Sequence, residues 1–95
     1  MIPTSQTTSE RVVFLGRVQG VGFRQRTRSL ARRFPVIGYV RNQADGSVEL
    51  VVQGPMTGVN GLIEAIEADF AGMISQSERQ PWPRSEEFAG FDIRF

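Results

Sequence analysis

Two short segments of this chain hold the residue types needed to handle a small anion. Residues 16–24 read G-R-V-Q-G-V-G-F-R, and Asn42, 18 residues beyond Arg24, lies within G-Y-V-R-N-Q-A-D-G-S-V-E at 38–49. The first segment has the form of a strand that enters a glycine-punctuated loop and then a helix bearing an arginine. A loop feeding a helix N-terminus presents unpaired N–H groups, and the helix dipole favours negative charge there. With no side chains at Gly20 and Gly22, the backbone from Gln19 through Val21 to Phe23 is free to curl into an anion-binding concavity. Arg24 adds fork-like donors that match non-bridging phosphate oxygens. Asn42 ends a strand just before a hairpin turn, where its amide can hold a water. Each signal has a plainer reading on its own: a turn between strand and helix, a turn amide bonding its own backbone, a surface arginine. The loop is not the dinucleotide fingerprint, and no phosphate-loop G-K-[ST] is present.

What is missing narrows the chemistry further. The chain has no cysteine and no histidine. No imidazole is available as general base or phosphoryl carrier, and no thiol as nucleophile. The usual zinc ligands are absent too, so neither a metal nor an organic cofactor is expected. Catalysis would run on arginine, amides, hydroxyls, carboxylates and backbone N–H groups. Phosphoryl transfer suits that set, because there the protein mainly positions groups and stabilises charge. An acyl phosphate is an easy substrate for it, since its carboxylate leaving group needs little protonation.

These residues need elements to position them. Arg11–Val18 alternates β-branched and apolar residues and is expected to be a strand. Phe23, Leu30, Ala31 and Phe34 mark one face of a helix over roughly 23–34, ended by Pro35. Val36–Asn42 is a second strand, Ala44-Asp45-Gly46 a hairpin turn, and Ser47–Gln53 a third strand. Val59, Leu62, Ile63, Ile66 and Phe70 repeat at helical spacing, with Thr57 as a candidate cap. Met73–Gln80 alternates poorly but can form a strand. Phe91, Ile93 and Phe95 alternate with Asp92 and Arg94 as a final one. Phe14, Phe34, Phe70, Phe91 and Phe95 are expected in the core, and Trp82, between two prolines, half exposed. The order predicts an α+β fold: a ferredoxin-like βαββαβ sandwich, an antiparallel sheet of four to five strands with two helices on one face. The first two strands then run in the same direction, so the 19–24 loop and Asn42 emerge at one edge of the sheet.

At 95 residues, 40% of them apolar, the chain is read as one domain over 11–95 behind a flexible tail at 1–10. No apolar run approaches the ~18 residues of a membrane span, and no secretory leader precedes the domain, so a cytoplasmic protein is expected. The net charge is +1, yet eight arginines and no acid fall between Arg11 and Arg41, and nine acids follow Asn42. Every cation is arginine. Much of this is a solvated basic face, and it also makes a field that draws in a phosphorylated anion.

V-Q-G-V-G-F-R at 18–24 and G-Y-V-R-N-Q-A-D-G-S-V-E at 38–49 resemble the two signature segments of the acylphosphatase family, in the family's order and separation. The resemblance extends over roughly Val12–Phe95. It implies hydrolysis of acyl phosphates to carboxylate and phosphate, with no metal and no phosphoenzyme. By position, Arg24 would bind the phosphoryl group, Asn42 would orient the attacking water, and the backbone of Gln19, Gly20, Val21, Gly22 and Phe23 would form the cradle. Tyr39 stands where the family more often has tryptophan, and either aromatic can pack against the helices. Ile74–Glu87 departs from the family's strand pattern. The partner implied is a small-molecule acyl phosphate, acted on by a monomer without nucleic acid or membrane. Two other functions fit the same residues. One is a weakly active module that binds phosphate or carbamoyl phosphate. A related family setting is the leading domain of a larger carbamoyl-transferring maturation protein, but a chain ending at Phe95 is expected to stand alone. The other function is RNA binding, suggested by the shared fold and the arginine-rich first helix but not by the strands, which lack a base-stacking aromatic pair.

Overall fold

Alternation along the strands and helical spacing between them sort the chain into one sheet with two helices against it. A computed structural model describes residues 7–84 and 86–95. The elements are β1 (Thr7–Gly16), α1 (Phe23–Ala31), β2 (Ile37–Asn42), β3 (Val48–Pro55), α2 (Met56–Asp69), β4 (Ile74–Pro81) and β5 (Phe91–Arg94). The sheet order is β4-β1-β3-β2-β5. Both helices lie on the face that carries Val12, Phe14, Val40, Val48, Leu50 and Val52, and close the core there with Leu30, Val59, Leu62 and Ile66. This is the ferredoxin-like α+β architecture. It is mixed rather than wholly antiparallel, because β5 pairs with β2 in parallel. In consequence β1, β2 and β5 all end at the same edge of the sheet.

Further expectations change. β1 starts at Thr7, because Thr7–Glu10 pair with Val52–Pro55 through backbone groups that polar side chains do not disturb; residues 1–6 of the expected tail lie outside the described residues. α1 stops at Ala31, and Arg33 and Phe34 close tight turns onto Leu30 and Ala31, since Pro35 keeps Phe34 out of the helical region. Thr57 is not a cap: α2 begins directly after Pro55, which is its N-cap, so Thr57 falls inside the first turn. Phe95 is 96% exposed, past the end of β5, while Phe14 and Phe70 are buried and Phe34 and Phe91 pack partly against the core.

The polar Ile74–Pro81 segment is an edge strand, paired with β1 alone. An edge strand with solvent beside it needs no clean alternation, and charge on it discourages pairing with a second chain. Arg79 holds it to Glu10 and to Asn60 of α2. From there the chain must cross the sheet to reach β5 at the opposite edge. It crosses the face away from the helices: Arg11 lies over the Trp82 ring at 5.3 Å, and Phe88 packs against Tyr39 at 5.9 Å. Arg94 lies over Tyr39 at 4.1 Å and pairs with Glu86. Tyr39 therefore packs under this crossover, not against the helices, because it alternates with Val40. Trp82, 37% exposed, acts here as a clasp.

Under the crossover sits a buried carboxylate. Glu49 accepts from Arg11 Nε at 2.5 Å and from Arg41 Nε at 2.6 Å. Burial pushes its pKa up, but the two guanidinium bonds outweigh that and hold it below the usual 4.5. A depressed carboxylate contributes stability that is fully present above pH 4.5 and is lost as pH falls through the lower folded value. Glu49→Gln is expected to lower unfolding stability by about 2 kcal/mol at pH 7, a discounted figure because both arginines reach solvent. It should also flatten the stability loss between pH 4.5 and lower pH, measured by urea unfolding across that range. An equally steep acid loss in the variant would assign that loss to other groups.

Candidate active site

β1 leads into the site through a bulge at Leu15/Gly16, after which Arg17 N donates to Met73 O at 2.8 Å. The following loop turns into α1 at Gly22, the helix N-cap, with φ 78° in the left-handed region. A side chain there would be strained, and its absence leaves the helix start without a side-chain cap. The first intrahelical bond of the turn is Arg26 N to Gly22 O. The N–H groups of Phe23, Arg24 and Gln25 thus have no acceptor within the helix. Phe23 fixes this turn to the core: its ring lies 5.3 Å from Phe14 and 4.5 Å from Phe70. With Phe23 pointing inward, Arg24 is directed out.

A pocket of about 280 Å³ opens at this helix start, lined by Val18, Gly20, Gly22, Phe23, Arg24, Gln25, Asn42, Ile93 and Phe95. Arg24 and Asn42, distant in sequence, share it because β1 and β2 end at the same edge. Of the five residues expected in the cradle, Gly20, Gly22 and Phe23 line the pocket, and Val21 packs partly against the core. Gln19 does something else. Its Nε2 donates to Gln43 O and Ser47 O, each at 2.8 Å, tying the Arg24 loop to the hairpin that follows Asn42. That hairpin is itself braced: Asp45 Oδ1 accepts from Ser47 N at 2.9 Å and from Ser47 Oγ at 2.6 Å. Those bonds hold the Asp45 carboxyl below its usual range.

A sequence profile of the acylphosphatase family matches residues 10–93. The chain belongs to the acylphosphatase family. The acylphosphatase of Salinibacter ruber is 41% identical over 92 residues, 96% of this chain and 95% of that one. That of Caldivirga maquilingensis is 45% identical over 87 residues, 90% of this chain and 92% of its own. The crystal structure of acylphosphatase from Bacillus subtilis superposes with a TM-score of 0.81 at 27% identity, covering 92% of this chain and 98% of that one. The chain is thus an acylphosphatase, a hydrolase of acyl phosphates, and among its described residues no helix is long and apolar enough to cross a membrane.

Two residues that line this pocket lie far from both motifs and escape a reading of them, and the bonds of the Gln19 side chain escape it too. Ile93 arrives on β5 and Phe95 just past its end, and only the parallel pairing of β5 with β2 brings them to this edge. The alternation of 91, 93 and 95 was visible, but the partner strand was not. The Gln19 side chain has no local signature, since its acceptors lie more than 20 residues away.

Proposed function

We propose that hydrolysis proceeds by direct in-line attack of water on phosphorus, with Arg24 and the N–H groups of the 19–23 loop and the start of α1 holding the phosphoryl oxygens. Asn42 orients the water opposite the leaving group. The water oxygen forms a bond to phosphorus as the bond from phosphorus to the acyl oxygen breaks. The carboxylate leaves with that electron pair, and both water protons end on phosphate, giving dihydrogen phosphate. A carboxylate leaves without a general acid, which suits a chain without histidine. Donors fixed before the reaction are worth more than mobile water, because no reorganisation is needed as charge moves onto the equatorial oxygens. The observation that carries this reading is the convergence of Arg24, Asn42 and an uncapped helix start on one pocket. The protein acts as a monomer on a small-molecule substrate in this proposal, without a metal.

The test is turnover of benzoyl phosphate by the whole chain in excess chelator, with release of phosphate followed in time. Turnover undiminished by the chelator supports the proposal. Activity that appears only on adding a divalent cation overturns its metal-free part. In oxygen-18 water, one labelled oxygen must appear in phosphate and none in benzoate; label in benzoate means attack at carbon.

Gln19 is assigned a positioning role, acting through the loops it joins. Gln19→Ala removes two hydrogen bonds, each with a net worth of about 1 kcal/mol. It is expected to lower kcat/KM about tenfold with a stability loss of about 2 kcal/mol. Steady-state kinetics at saturating and limiting substrate check this; unchanged kcat/KM in a destabilised variant makes Gln19 a structural brace only.

A further inference from the structure

Phe95 is the most exposed large apolar side chain among the described residues, at 96%. One exposed aromatic is ordinary by itself. Its surroundings are specific: the Arg24 guanidinium lies over its ring, 4.8 Å from the centroid, and the ring lines the same pocket as Asn42. The β2–β5 register pairs Val40 with Ile93 and Arg41 with Arg94, and one further step sets Phe95 beside Asn42. The pocket therefore has two ends. Gly20, Gly22, Arg24 and Asn42 make the polar end. Val18 and Phe23 are buried in the core, so open apolar surface comes from Ile93 and Phe95.

Resting on the assignment of the phosphoryl group to Arg24, we propose that Phe95, backed by Ile93, is the shelf for the substrate's acyl group and selects flat, apolar acyl phosphates such as aroyl phosphates. An acyl phosphate has a charged end and an apolar end separated by a single bridging oxygen. With the phosphoryl group on Arg24, the acyl group emerges within a few ångströms of that guanidinium. Phe95 is the open apolar surface at that distance. The guanidinium occupies one face of the ring, and a ring this exposed keeps the other free. A flat aroyl group stacks there, whereas an acetyl group is too small to cover it. The same contact holds the Arg24 side chain over the pocket.

The experiment measures binding of two non-hydrolysable analogues, phenacylphosphonate and acetonylphosphonate, to the wild type, Phe95→Ala and Phe95→Trp. They share a phosphonate and a ketone and differ in the acyl group alone. The wild type is expected to prefer phenacylphosphonate. Phe95→Ala is expected to reduce the ratio of the two Kd values about three- to tenfold, the size of one aromatic contact, and Phe95→Trp to keep it. An unchanged ratio in Phe95→Ala, or equal weakening of both analogues, overturns the shelf. Phe95 supports nothing in the core, so folding does not confuse the comparison. Because the readout is binding, a preference seen without turnover would count against the hydrolysis mechanism alone. Turnover with an unaltered ratio would count against the shelf alone.

Discussion

Arg24→Gln is expected to lower kcat/KM for benzoyl phosphate by at least about 10³, and Asn42→Ala to lower kcat by about 10²–10³. The two should differ in kind. Arg24 is assigned to the phosphoryl group in ground state and transition state alike, so its loss should also weaken inhibition by inorganic phosphate. Asn42 is assigned to the water, so its loss should leave that inhibition close to wild type. Neither side chain is buried, and neither is needed by the core, so thermal unfolding should shift by only a few degrees. Phosphate inhibition equally weakened in both variants would contradict the division of roles. Full activity in a folded Arg24→Gln would remove Arg24 from the site altogether.

Gly16→Ala is expected to destabilise the protein by about 3 kcal/mol or more, the largest stability effect among these substitutions. Gly16 has φ 123°, and a Cβ placed on it would lie 2.2 Å from Met73 O and 2.6 Å from Ser75 N. Both are backbone atoms, one just before β4 and one within it, and cannot swing aside as a side chain would. Relief requires separating β1 from β4 at the bulge, which breaks the Arg17 bond to Met73 and disturbs the loop that leads to Arg24. Urea unfolding should show a lower midpoint, and activity should fall even where the protein stays folded. A variant with wild-type stability would mean that the bulge opens without penalty.

The order of elements was legible because it rests on local patterns. Val12 and Phe14 alternate, Val59 through Phe70 recur at helical spacing, and Asp45-Gly46 marks a turn. The ends were less legible. Thr7–Glu10 are polar and read as a tail, yet a strand edge needs only backbone groups to extend along β3. Ile74–Pro81 reads poorly as a strand because an edge position relaxes the demand for apolar alternation. Phe95 misleads in the opposite sense. Its spacing from Phe91 and Ile93 is that of a core residue, and only the end of β5 at Arg94 leaves it outside.

The sequence by itself determined the residue types on which the proposed anion handling rests: glycines at 20 and 22, an arginine at a helix start, an amide at a strand end, and no histidine or cysteine to suggest another course. These are properties of residue type and short spacing, which local sterics and hydrogen bonding settle. The tertiary structure decided which side chains meet. Gln19 reaches Gln43 and Ser47 because two loops leave the same sheet edge. Phe95 reaches Arg24 because β5 joins β2 in parallel after crossing the whole sheet. Strand pairing of that kind is set by how the entire apolar surface is buried, a sum over contacts distant in the chain, and no short segment carries it.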